Sequence, residues 1–175
     1  MHTPAELETR KHRNLPSGAW KQWIPAIVWL GIIAFESTDL LSAEHTGKLL
    51  YTWLTRLFGR IDPVAFAFWH HYLRKTGHVV GYAILSYLLF RAWRATLPLV
   101  SAGLWGFRWA LISFLSTAAV ASLDEWHQTF IPARTGTVRD AVLDSAAAIV
   151  AQVILYTVLR YKSRKPFAGT VTRKA

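Results

Sequence analysis

The stretch from Asp124 to Asp144, DEWHQTFIPARTGTVRDAVLD, concentrates ionisable and hydrogen-bonding groups between two apolar runs. Asp124 and Glu125 open it, Arg134 and Arg139 lie within it, and Asp140 and Asp144 stand one helical turn apart near its end. A second set comes earlier. His71, Lys75, His78 and Tyr82 are spaced by four, three and four residues, which puts them on one face of a helix. Glu36, Ser37 and Asp39 follow the first apolar run. Arg134 and Lys75 suit a phosphate or carboxylate head group. His78 with Asp124 and Glu125 could do general acid–base work, while Tyr82, Gln128, Asp140 and Asp144 orient them. The same residues could instead form a structural ion-pair network that fixes helix ends. Asp140 is then only a cap, and Asp144 bonds Tyr82 or His78.

Other chemistries find less support. A metal centre could draw on His71, His78, His127, Asp124 or Glu125, but no HExxH or other close-spaced ligand motif is present, and no metal or cofactor is expected. Ser37 lacks the strand–turn–helix setting of a nucleophile, so it is grouped with the ligand-binding residues rather than with a Ser-His-Asp triad. His70 and His127 read as interface residues.

The elements that must position these groups are apolar. Apolar residues make up 53% of the 175 residues, and they are clustered. Runs at about Trp20–Phe35, Gly77–Phe90 with its flanks, Gly103–Leu123 and Val138–Leu159 reach the length needed to cross about 30 Å of hydrocarbon, roughly 20 residues. The nine Trp and six Tyr lie mostly at the ends of these runs, as an aromatic belt requires. The expected fold is all-α: an integral membrane protein with four transmembrane helices, plus one or two short amphipathic helices in the first outer segment. Residues 1–21 and 161–175 read as basic cytoplasmic tails around a transmembrane domain at 22–160. The first run has no small-residue cleavage site and reads as an uncleaved signal anchor. There is no cysteine, hence no disulfide or thiol chemistry.

Local signals refine this outline. Ala43 to Phe58 has helical apolar spacing and is stopped by Gly59, either on the membrane surface or as a lid on the protein. Asp62 and Pro63 open a further helix as cap and first residue. Gly77 and Gly81, and the face of Ala146, Ala147, Ala148 and Ala151, offer close helix packing. Thr137 reads as an N-cap completed by Asp140. The net charge of +10 does not point to nucleic acid. Its Lys and Arg fall mostly on the side of a four-pass chain that holds both termini, which is the positive-inside pattern and makes both termini cytoplasmic. Membrane lipids are the expected partners.

The combination Asp124-Glu125-x-x-Gln128-x-Phe130-x-Pro132-x-Arg134 with Asp140, the pattern Lys75-x-x-His78-x-x-x-Tyr82, and Ser37 after the first run resemble the VanZ-like family. The resemblance extends from about Phe35 to Ala151. Ala133 and Ala147 stand where that family has Gly, Thr137 where it has Ser, and Asp144 where Asn is usual. The resemblance implies a small multi-pass protein of the bacterial cytoplasmic membrane, in a family whose namesake is linked to low-level teicoplanin resistance. The expectation is an outward-facing pocket that binds or modifies an anionic lipid or glycan head group, such as a cell-wall precursor. The alternative is a non-enzymatic adaptor or antibiotic shield whose polar cluster is structural. A transporter fits less well, because the second and third runs are apolar in their inner halves and no halves are duplicated.

Overall fold

The computed structural model describes residues 18–97, 104–132 and 134–164, and among these every regular element is helical. A 3-10 turn, Ala19–Gln22, leads into α1, Trp23–Glu36. Pro25 sits in the first turn of α1, where its missing N–H leaves no bond unmade. A second 3-10 turn, Asp39–Leu41, precedes α2, Ala43–Phe58, in which Ser42 accepts from the backbone N–H of His45. Gly59 ends α2 at φ 83, a conformation that favours glycine. Then come α3, Pro63–Thr96, α4, Phe107–Gln128, and α5, Val138–Arg164.

The Asp62 carboxylate accepts from the N–H groups of Val64 and Ala65, and Pro63 is the first helical residue, as its position predicts. The sequence alone separates this outer helix from the second apolar run. The structure joins them into one 34-residue helix about 51 Å long. No proline interrupts it after Pro63, so nothing in the chain forces a break.

Helices α3, α4 and α5 pack pairwise, and α1 lies against α3. The interior mixes large apolar side chains with small and polar ones: Leu85, Leu89, Phe90 and Trp109 are buried, as are Ala26, Ala92, Ala121, Ala147, Ala148 and Ala151, with Ser86, Ser113, Thr117 and Gln152. Gln152 donates to the Ser86 hydroxyl at 2.8 Å and to its carbonyl at 3.1 Å, a cross-helix bond in the half of the bundle read as apolar. Ala146, by contrast, is exposed. Leu111, Leu115, Ile149, Val150, Val153 and Ile154 also face outward. A Cβ at Gly77 or Gly81 would meet nothing within 4 Å, so these glycines do not serve a tight helix crossing. Trp29 instead donates to the Gly81 carbonyl at 2.8 Å.

Among the described residues, α5 alone is long and apolar enough by itself to cross a membrane. The bent pair Ala19–Glu36 and Asp39–Phe58, which meet at 74°, pass that test only together. With 14 residues, α1 reaches about 21 Å, and the polar residues of α3 and α4 dilute their apolar content. Four bundle helices are present, but not four individually apolar spans. Most of the two tails, the loop around Pro98 and Ala133 lie outside the described residues.

Candidate functional site

The polar residues of α3, α4 and α5 meet at one end of the bundle. Thr137 caps α5: its hydroxyl accepts from the Asp140 N–H at 3.1 Å and donates to the Asp140 carboxylate at 2.9 Å. The Thr137 N–H donates to Glu125 at 2.8 Å, so an acid from α4 completes the cap across the loop. Gly136 makes this closure possible. A Cβ there would overlap the Glu125 carbonyl oxygen and press on Thr129 at 3.0 Å.

The stripe on α3 faces this closure. Lys75 pairs with Asp140 at 2.6 Å. Tyr82 donates to Asp124 at 2.8 Å, and Gln128 donates to the same oxygen at 3.2 Å. His78 Nδ1 lies 3.6 Å from Asp144, beyond hydrogen-bond length. Asp144 is 1% exposed, and among the described residues neither carboxylate oxygen has a hydrogen-bond partner. Glu125 is 6% exposed. One atom from each of His78, Glu125 and Asp144 falls within 4.8 Å of the others, so these three could share a cation.

Above them opens a cavity of about 520 Å³. Its walls include His71, Lys75, His78, Glu125, Gln128, Arg134, Asp140 and Asp144, and α2 contributes Glu44, Gly47 and Lys48. Tyr82, Ser37 and Asp124 line a smaller recess beside it, with Glu36. Ser37 Oγ is 3.5 Å from His127 Nδ1, a contact that sequence spacing does not suggest. His70 stacks on Phe66, faces Gly47 of α2 and also lines the cavity.

Arg134 faces two ways. It lines the cavity, yet its Nη2 donates to the carbonyl oxygens of Glu36 and, at 2.8 Å, Thr38. It thereby ties the α4–α5 loop to the end of α1. Burial lowers its affinity for its proton, while Asp124, Asp39, Glu125 and Glu36 act in the opposite direction. The Arg134 Nε is buried without a partner among the described residues.

A family model described as VanZ/LLP1 matches residues 22–160. The chain belongs to the VanZ/LLP1 family. No curated relative and no solved structure matches it. The family is generally membrane-associated, and α5 is apolar and long enough to cross a bilayer. The residues that carried the VanZ resemblance lie together in space. Asp124 meets Tyr82, and Asp140 meets Lys75. Arg134 reaches back to the segment around Ser37. The Ser86–Gln152 bond lies outside those motifs, and only the pairing of helices reveals it.

Proposed function

We propose that this VanZ/LLP1 protein is a four-pass protein of the bacterial cell envelope, with both termini cytoplasmic. In this reading its outer-end cavity binds the head group of an anionic lipid or of a lipid-linked cell-wall precursor. The role is linked through the family to glycopeptide susceptibility. The observation that carries the reading is the cavity itself: about 520 Å³, with Lys75, His71, His78 and Arg134 in its wall beside the acids Glu44, Glu125, Asp140 and Asp144. Cavities of this size suit small ligands. The exposed apolar side chains of α2, Leu49, Trp53, Leu57 and Phe58, support a mouth at the level of lipid head groups. The outward apolar faces of α4 and α5, with Ser86, Ser113, Thr117 and Gln152 turned inward, support a bundle solvated by lipid.

Lys75 is the residue assigned to the anion, exchanging Asp140 for a phosphate or carboxylate oxygen. Arg134 holds the loop and contributes its charge to the cavity wall while its Nη2 stays bonded to the end of α1. His78, Asp124 and Glu125 are the groups that would handle protons if the bound molecule is also modified. Tyr82, Gln128, Asp140, Asp144 and Ser37 orient them.

The test uses the full-length chain in detergent, titrated with phosphatidylglycerol or phosphatidylcholine while thermal unfolding is followed. Phosphatidylglycerol is expected to raise the midpoint more than phosphatidylcholine in the intact chain, and this difference is expected to vanish in Lys75→Ala. Equal stabilisation by both lipids, or a difference that survives Lys75→Ala, would overturn the assignment.

A structural role is the second reading, favoured by one observation. Lys75 and Arg134 both have partners within the protein. That reading predicts equal teicoplanin protection of a sensitive Gram-positive host by the intact chain, Lys75→Ala and Asp124→Asn at matched membrane abundance. Protection lost in the variants favours the binding site.

A further inference from the structure

The floor of the cavity has the wrong sign for an anion. Glu125 and Asp144 both face it and both are buried. The Lys and Arg residues of the cavity wall are turned elsewhere: Lys75 toward Asp140, Lys48 toward Glu44, Arg74 toward the Leu41 carbonyl and the Thr46 hydroxyl, and Arg134 toward the backbone of Glu36 and Thr38. A buried carboxylate whose oxygens accept no hydrogen bond is costly unless it is neutralised or coordinates a metal. Neither Asp144 oxygen has a hydrogen-bond partner among the described residues, and the His78 imidazole 3.6 Å away is an ion-pair partner only when protonated.

We propose that His78, Glu125 and Asp144 bind one divalent cation at the base of the cavity, and that this ion receives an oxygen of the head-group phosphate. Two atoms each about 2.1 Å from a tetrahedral ion lie about 3.4 Å apart. The 3.6 Å between His78 Nδ1 and Asp144 is too long for a hydrogen bond and close to that spacing. All three donor atoms fall within 4.8 Å of one another, so small side-chain rotations bring Glu125 into the same sphere. Two carboxylates and a neutral imidazole match a 2+ charge, so the loaded site is neutral, as burial requires.

The donor set is a nitrogen and two hard oxygens, which suits Zn²⁺ or Mn²⁺. The Thr137 N–H already orients one Glu125 oxygen at 2.8 Å, the outer-shell support that metal carboxylates commonly have. Three protein ligands leave a coordination position on the cavity side. A bound cation there also reverses the sign of the floor, which turns an acidic pocket into an anion receptor. The metal's role rests on the reading of this cavity as a head-group site; the metal's presence rests on the geometry alone.

The experiment uses the full-length chain in detergent, stripped with chelator and then dialysed against Zn²⁺ or Mn²⁺. Bound metal is measured by elemental analysis and unfolding by thermal shift. One ion per chain and a raised midpoint are expected. Asp144→Asn and Glu125→Gln each preserve shape, and the amide oxygen introduced by Glu125→Gln would still accept from the Thr137 N–H. Each is expected to weaken metal binding at least about tenfold. Asp62→Asn, on the surface, should bind as the intact chain does. No bound ion with either metal, or equal binding by the intact chain and both site variants, would overturn the proposal. Metal binding without preference for phosphatidylglycerol would sink the head-group reading alone. Preference for phosphatidylglycerol without metal would sink this one alone.

Discussion

Individual side chains at the polar end of the bundle differ in what they hold. Tyr82 is 1% exposed, and its hydroxyl gives Asp124 one of two side-chain donors. Tyr82→Phe removes that donor at little change in volume, and a loss of about 1–2 kcal/mol is expected, read from the unfolding midpoint in detergent. Arg134 bonds two carbonyl oxygens from one guanidinium nitrogen, joining segments far apart in sequence. Arg134→Ala is expected to lower stability as well as any binding, and Arg134→Lys to restore little of it, because an ammonium has neither the reach nor the fork of a guanidinium. Full recovery of thermal stability in Arg134→Lys would contradict this role. The identities of these residues are legible in the sequence, but their partners are not. The α3 stripe follows from helical periodicity alone, whereas the pairing of Lys75 with Asp140 depends on how α3 and α5 are set side by side.

The elements owe their ends to short local signals that are readable from the sequence. Asp62 with Pro63, Gly59 and Thr137 with Asp140 each do what their type and position require. Gly136 is different. Its identity follows from a contact with α4, since a Cβ would overlap the Glu125 carbonyl oxygen. Gly136→Ala is expected to abolish accumulation of folded protein, or to cost several kcal/mol, because backbone on both sides must shift. Gly77→Ala is the control: nothing lies within 4 Å of its Cβ, and alanine in a helix interior should add about 0.5–1 kcal/mol. Comparing the two midpoints checks both. A Gly136→Ala chain as stable as Gly77→Ala would mean that the loop does not press on α4.

At the scale of the molecule, the four-pass arrangement we propose makes a prediction about orientation. Because the chain has no cysteine, single cysteines report orientation without background. Lys48→Cys on α2 is expected to react with an impermeant maleimide in intact cells. Lys162→Cys at the end of α5 is expected to react only after permeabilisation. The reverse pattern would invert the chain in the membrane, and labelling of both in intact cells would remove the four-pass arrangement. The expected orientation follows from the Lys and Arg residues that flank the helix ends on the side of both termini; the exposed Leu115, Ile149 and Val153 of α4 and α5 bear only on immersion in lipid.

By itself the sequence determined that the described elements are helices, where most of them start and stop, and which polar residues could share a helix face. These properties depend on contacts a few residues long: caps, turns and periodicity. It also carried the family, through motifs that are each only a few residues long. Tertiary structure alone decided that the outer helix and the second apolar run are one element, and that Arg134 braces a loop. It also brought Asp144 beside His78 with no hydrogen-bond partner of its own. Those outcomes depend on packing between segments tens of residues apart, where a shift of a few ångströms separates an ion pair from a metal site. No local pattern of residues encodes that distance.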